Sequence, residues 1–102
     1  MVNSKYFNMG MVVVTNGINA KMNDNLKFIM EITNCLERYA NKDWGNLDNE
    51  DKEANEDSLN YPDDLYLLGA YQTSQGKIWI ITNRATEQPG DNVTTVLFPE
   101  ER

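Results

Sequence analysis

Residues 65–83 read LYLLGAYQTSQGKIWIITN and carry the strongest signal for the fold. Two runs rich in β-branched and aromatic residues, at 65–73 and 77–83, flank a short polar Ser-Gln-Gly segment. This pattern predicts two antiparallel strands joined by a hairpin. A third strand is predicted over 93–98, after a loop in which Pro-Gly-Asp-Asn at 89–92 is typical of a turn.

The residues before the hairpin predict a further strand and a long helix. Residues 9–15 (MGMVVVT) are apolar on both faces and end at Asn16-Gly17, which predicts a buried strand closed by a turn. Asn23 or Asp24 can cap a helix that continues to about residue 41. Spacings of three and four residues give this helix an apolar stripe of Phe28, Ile32, Cys35 and Tyr39, interleaved with Ile29, Leu36 and Ala40.

A second helix is predicted over 49–60, with Asp48 as its N-cap. Only Leu47, Ala54 and Leu59 suggest a side that faces inward. Like charges recur at spacings of three and four residues, and each such pair costs about 0.2–0.5 kcal/mol. A helix formed under that penalty must be docked firmly or held by a partner.

Together these elements predict a single α+β domain over residues 1–102. The expected order is β-α-α-β-β-β, with a mostly antiparallel sheet packed against a long N-terminal helix. Ile78 and Ile80 lie on the strand face opposite to Trp79 and Ile81, so both faces of the sheet are apolar. The second helix or another copy of the chain is expected to cover the spare face, which predicts a homodimer.

Composition excludes several classes of protein. The net charge is −7 and the pI is about 4.4, which argues against direct binding to nucleic acid, because such binding needs cations to replace phosphate counterions. No apolar run approaches the roughly 20 residues that span a bilayer. Residues 1–5 lack the features of a signal peptide. Cys35 is the single cysteine, which fits a reducing cytoplasm.

The chain also lacks the usual chemistry of an active site. Histidine is absent, which removes the commonest general base and metal ligand. Cys35 lies on the apolar stripe and is expected to be buried. A calcium loop starting at Asp48 would need a glycine where Glu53 stands. We therefore expect no enzyme activity, no cofactor and no metal.

Acidic residues are concentrated between positions 43 and 64. Nine carboxylates and one cation, Lys52, give this acidic segment a net charge of −8 over 22 residues. Its expected role is to bind a basic protein surface. The candidate partner-binding residues are Asp43, Asp48, Glu50, Asp51, Glu53, Glu56, Asp57, Asp63 and Asp64, with Trp44, Tyr61 and Tyr66 as aromatic anchors. The alternatives are a solvated face that maintains solubility and, for the aromatics, packing at the edge of the core.

Four pieces of the chain resemble a family of small proteins from gut bacteria, plasmids and phages. The pieces are VTNGI at 14–18, DWGNL at 43–47 with Asp51 and Asn55, KIWIIT at 77–82, and VTTVLFP at 93–99. Members of that family are often labelled plasmid-related proteins. The resemblance covers nearly the whole chain and implies a mobile-element setting without implying a mechanism.

Two departures from that family stand out. Asn16 occupies a position where the family usually has arginine, and residues 83–92 form a longer loop than the family's short charged turn. A partner shared through those charges would not be recognised here.

The sequence predicts a non-enzymatic binding protein from a mobile element. It would inhibit or modulate a basic, nucleic-acid-handling host protein such as a defence nuclease, in the manner of an anti-CRISPR or anti-restriction protein. The alternative is a housekeeping or structural interaction domain that self-associates and uses its acidic face only for solubility.

Overall fold

A computed structural model describes residues 3–88 and 91–102, so the Pro89-Gly90 part of the predicted turn lies outside it. The strands are β1 (Met11–Val14), β2 (Leu67–Thr73), β3 (Gly76–Arg84) and β4 (Asn92–Leu97), and the helices are α1 (Asn16–Met22), α2 (Leu26–Ala40) and α3 (Asn49–Ser58). Short 3-10 turns follow at Pro62–Asp64 and Pro99–Glu101. The α+β class is confirmed.

The four strands form one mixed sheet in the order β1-β4-β3-β2. β1 pairs with β4 in parallel, while β3 pairs antiparallel with both β4 and β2. The predicted hairpin is present with a two-residue turn, because Thr73 and Gly76 are paired across it. Gly76 has a φ of +107°, a conformation that side chains disfavour. Two oxygens of Glu31 on α2 accept hydrogen bonds from Ser74 N (2.9 Å) and Ser74 Oγ (2.5 Å), which fix the turn against the helix.

The predicted order of elements was wrong, because a short helix separates β1 from α2. Thr15 caps this helix by accepting a hydrogen bond from Ile18 N at 3.3 Å, and Ile18 is fully buried. The chain therefore enters α1 where a turn at Asn16-Gly17 was expected. The positive φ of Asp24 (54°) separates α1 from α2, and Asn25 then caps α2. The main helix is thus the second helix of the chain rather than a long N-terminal one.

The core lies between α2 and one face of the sheet. The predicted stripe is confirmed, since Phe28, Ile32, Cys35 and Tyr39 are all at most 4% exposed. Ile29 was wrongly grouped with them and is 37% exposed. The remaining members of the interleaved set, Leu36 and Ala40, are partly and fully buried respectively.

A chain of buried hydroxyl groups crosses the core and ties α2 to the sheet. Tyr39 Oη donates to Thr82 Oγ1 at 2.8 Å, Thr82 Oγ1 lies 2.7 Å from Thr94 Oγ1, and Thr94 Oγ1 donates to Met9 O at 2.7 Å. Because a carbonyl can only accept, every hydroxyl in the chain donates in the same direction. Burial raises the pKa of the Tyr39 hydroxyl, so this donor stays protonated.

The face of the sheet that points away from α2 also carries apolar residues. Ile81 is 7% exposed, Leu68 and Trp79 are half-buried, and Met11 at the edge is 70% exposed. The buried residue of α3, Asn55, contacts the outer edge of β2, as described below. The homodimer expected from the two-sided sheet stays a prediction.

Candidate partner-binding surface

α3 begins where the sequence predicts and is well capped. Asp48 Oδ1 accepts a hydrogen bond from Asp51 N at 2.8 Å. Glu50 and Asp51 lie in the first turn, where the partial positive charge of the helix N-terminus favours carboxylates. These interactions offset part of the repulsion among the acidic side chains of α3.

One polar side chain attaches α3 to the sheet. Asn55 is 4% exposed, and it is the buried residue of α3. Its Nδ2 donates to Leu68 O at 2.7 Å, and its Oδ1 accepts from Leu68 N at 3.1 Å. The amide thus pairs with both backbone groups that Leu68 presents on the outer side of β2, as a neighbouring strand would. Ala54, predicted to face inward, is exposed, because the helix is oriented by this amide rather than by apolar burial.

The segment before α3 covers the next position on the same edge. Ala70 N donates to Trp44 O at 3.0 Å, and Asn46 N donates to Ala70 O at 2.7 Å. Gly45 has a φ of +76°, and a Cβ there would lie 2.0 Å from Ala70 O. Only glycine allows the backbone to approach β2 so closely. The outer edge of β2 is therefore protected at two successive positions.

Two of the nine carboxylates are paired with cations outside the acidic segment. Arg38 donates to Asp43 through Nε at 2.8 Å and through Nη2 at 3.3 Å, and these bonds lower the pKa of Asp43. Asp43 also accepts a hydrogen bond from Gly45 N. Lys42 Nζ lies 3.1 Å from Glu56 Oε1. These two carboxylates have structural partners and contribute less to an external field.

The other carboxylates of the segment are exposed to solvent, and none of them forms an ion pair within residues 3–88 and 91–102. They are Asp48, Glu50, Asp51, Glu53, Asp57, Asp63 and Asp64. At about 100° per residue, Glu50, Glu53 and Asp57 lie roughly 140–160° around α3 from Asn55. Three carboxylates therefore share the side of the helix opposite its attachment to the sheet. We call them the outer carboxylates.

The three predicted aromatic anchors differ in how far their side chains are exposed to solvent. Trp44 is 4% exposed, and its ring packs against Tyr39 at 5.4 Å between centroids. This is the packing at the edge of the core that the alternative predicts, so the Trp44 ring is not available as an exposed anchor. Tyr61 is 67% exposed and Tyr66 is 39% exposed. The Arg102 guanidinium lies 5.6 Å from the Tyr66 ring centroid, so Tyr61 is the more accessible of the two.

Sequence reasoning missed the role of Asn55 in the surface. A weak signal was present: Asn55 stands four residues before Leu59, which is partly buried, so the two share one side of the helix. A polar residue there does not indicate burial by itself, because asparagine is usually exposed.

The metal-ligating side chains and the Cys35 thiol are defined in the part of the chain that the structure describes. No group of three or more His, Cys, Asp or Glu side chains there could hold a metal ion. Cys35 is buried as expected, and burial raises the pKa of its thiol. Among these same residues, no helix is long and apolar enough to cross a membrane.

Comparisons with known proteins gave no significant match to a family model, a curated protein or a solved structure.

Proposed function

We propose that this chain is a non-enzymatic binding protein of a mobile element that inhibits or modulates a basic, nucleic-acid-handling host protein in the cytoplasm. A defence nuclease is the partner class that fits best, in the manner of an anti-CRISPR or anti-restriction protein. The mobile-element setting rests on the resemblance of the DWGNL, KIWIIT and VTTVLFP pieces to plasmid-related proteins.

The observation that carries the proposal is the position of the outer carboxylates. Glu50, Glu53 and Asp57 lie opposite Asn55, so the attachment of α3 to β2 leaves them facing away from the protein. Exposed charges of one sign attract a surface of the opposite sign and accelerate its association. A groove lined by lysine and arginine is the complementary partner.

The charge density of α3 supports mimicry of a nucleic-acid strand. Five carboxylates lie between Glu50 and Asp57, and Lys52 together with the Lys42–Glu56 pair compensates two of them. The net of three charges extends over ~10.5 Å of helix axis at 1.5 Å per residue. One charge per ~3.5 Å of helix axis is close to the charge density of one strand of B-DNA, about one phosphate per 3.4 Å of the duplex axis. A site that binds phosphates would therefore meet a similar field.

The proposal is tested by neutralising the outer carboxylates. The partner is first captured from host lysate with the wild-type protein and identified. Its association rate is then measured with the variant Glu50→Gln, Glu53→Gln, Asp57→Asn at low and high salt. We expect slower association and a weaker dependence on salt, because exposed charges act by steering. Duplex DNA should compete with the wild type for the partner.

A matched control changes the same net charge at other exposed positions. Glu37, Glu87 and Glu100 are exposed and lie outside the acidic segment, so their replacement by glutamine alters only the total charge. If both triple variants associate equally fast and with equal salt slopes, the acidic segment serves solubility and the proposal fails.

A self-associating interaction domain is the second candidate, and the partly exposed second face of the sheet favours it. Trp79 and Leu68 are half-buried there while Met11 is exposed, and a second copy could cover all three. Sedimentation velocity decides this question. A species of twice the 11.7 kDa chain mass that is lost in Trp79→Lys would support this candidate, and a monomer at all workable concentrations would remove it.

A further inference from the structure

The two edges of the sheet differ in what covers them. The outer edge of β2 pairs with Trp44, Asn46 and Asn55. At the opposite edge, β1 is in extensive contact with β4 alone among the helices and strands that the structure describes. β1 reads Met-Val-Val-Val, so it carries neither the charge nor the proline that commonly keeps an edge strand from pairing with another chain.

The backbone of β1 has hydrogen-bonding groups that point away from the sheet. β1 runs parallel to β4 with Val14 opposite Val96, and Thr15 N donates to Val96 O at 3.1 Å. Alternate residues of a strand bond to the same neighbour, so Val13 and Thr15 bond to β4, while the N–H and C=O of Val12 and Val14 point outward. No hydrogen bond within residues 3–88 and 91–102 uses these outward groups.

A second copy of β1 matches the outward groups. A two-fold axis through Val13 makes the two β1 strands antiparallel and sets Val12 opposite the partner's Val14. Each such pair exchanges two N–H···O bonds, so the two pairs satisfy every outward group of both strands. Val13 then lies beside the partner's Val13, in the type of pair where side chains approach most closely. A shift of two residues in either direction would leave Val12 or Val14 opposite a residue outside the strand.

The side chains of β1 suit the same arrangement. Val12 and Val14 pack against the core, so Met11 and Val13 lie on the other face of the sheet. Met11 is 70% exposed. Across an antiparallel pair, a long side chain reaches the diagonal neighbour, which is the partner's Val13. The pairing therefore gives the exposed methionine an apolar neighbour.

The distribution of charge permits two copies to meet at β1 although each has a net charge of −7. The acidic segment lies at the other edge, where Asn55 of α3 contacts β2. In the paired sheet, seven inter-strand spacings would separate the two β2 strands, roughly 34 Å at about 4.8 Å each. That distance exceeds the Debye length of about 8 Å at physiological ionic strength. Repulsion between the acidic segments is screened, and a basic partner is attracted to the edge that β1 does not occupy.

We propose that two copies of this chain pair through the outer edges of their β1 strands and form one continuous eight-stranded sheet. This interface is distinct from the second face of the sheet, and it does not depend on the partner binding proposed above. Four residues of each strand take part, so the interface is small and the dimer is weak and dependent on concentration. The dimer would present the outer carboxylates at both ends of the sheet.

The first test is amide hydrogen exchange of the whole chain, followed by NMR at several protein concentrations. The amides of Val12 and Val14 should gain protection as the concentration rises. The amide of Val13, which bonds to β4, should be protected throughout. Sedimentation over the same range should show the 11.7 kDa chain and a species of twice that mass. A monomer at every concentration would overturn the inference, and so would a dimer without this alternating protection.

Substitutions at Val13 test the two-fold register. Val13→Lys should raise the dissociation constant of the dimer about 2–5-fold, because like charges directly opposite on paired strands repel. Mixing it with Val13→Glu should restore association, since the lysine then lies opposite a glutamate. Val93→Lys is the matched control: Val93 is paired with Met11 and lies on the same face, but β4 has a strand on each side. Circular dichroism establishes that each variant is folded.

The variants also distinguish other occupants of this edge. Equal weakening by Val13→Lys and Val93→Lys would mean that the copies meet through the face of the sheet. If the two Val13 variants associate no better together than apart, the register is wrong. Protection of Val12 and Val14 that appears only when the captured host partner is added would assign the edge to a strand of that partner. Each of these results would overturn the pairing of two β1 strands.

Discussion

Replacing Asn55 by alanine should detach α3 from the edge of β2. The change removes two hydrogen bonds, at 2.7 and 3.1 Å, and leaves the N–H and C=O of Leu68 without partners. Each hydrogen bond contributes about 0.5–1.5 kcal/mol net, and Leu68 is half-buried, so water replaces the amide only in part. We expect a loss of about 1–3 kcal/mol of unfolding free energy. That is a large share of the stability of a small domain.

The measurement is urea unfolding combined with hydrogen exchange. With a slope of about 1–3 kcal/mol per molar urea, the midpoint should fall by roughly 1 M. Exchange should accelerate at the Leu68 amide, while neighbouring β2 amides that bond to β3 keep their protection. This local pattern separates loss of the α3 contact from general destabilisation.

Asn49→Ala is the matched control. Asn49 is exposed and lies on the same helix, so this variant makes the same side-chain change without removing the bonds to Leu68. The difference between them isolates the contact with Leu68. Equal unfolding free energies for the two variants, with unchanged Leu68 exchange, would refute the role assigned to Asn55.

Two further predictions concern the core and the C-terminal turn. Ile32→Ala should cost about 2–5 kcal/mol by emptying a core position that is 3% exposed, and an unchanged melting temperature would place the α2 stripe wrongly. Glu101 accepts hydrogen bonds from Thr15 Oγ1, Phe98 N and Gly17 N, and the first of these lowers its pKa the most. Its stabilisation is complete above its unfolded pKa of about 4.3 and is lost as the pH falls through the lowered folded pKa. Unfolding curves of wild type and Glu101→Gln should therefore differ most near neutral pH and converge in acid; a constant difference would contradict this role.

Elements with regularly spaced apolar residues could be predicted from the sequence. Elements whose position depends on a single polar contact could not. The stripe of Phe28, Ile32, Cys35 and Tyr39 predicted α2 because apolar spacing reports burial directly. The helix α1 was missed because its start depends on Thr15, whose hydroxyl also bonds to Glu101, 86 positions away. Local propensity at Asn-Gly favours a turn, and the long-range contact overrides it.

The candidate surface shows the same division. The exposed positions of the outer carboxylates follow from their charge, and the cap by Asp48 follows from local chemistry. The inward position of Asn55 depends on its pairing with the backbone of β2. Such edge contacts leave no periodic signal, because each involves one residue and a partner that lies far along the chain.

The contact of α3 with the sheet edge is separate from the partner binding that we propose for its charge. Covering the edge of β2 needs Asn55 and the close approach of Trp44 and Asn46, and none of these contacts uses an outer carboxylate. Edge protection therefore explains why a helix lies here, but not why it is so acidic. Solubility alone could be met by charges spread over the surface, without the repulsion that neighbouring carboxylates impose on one helix. Neutralising the outer carboxylates should therefore leave the sheet edge intact and stabilise α3. Any loss of partner binding in that variant then measures the contribution of these charges to binding, because the fold is unchanged.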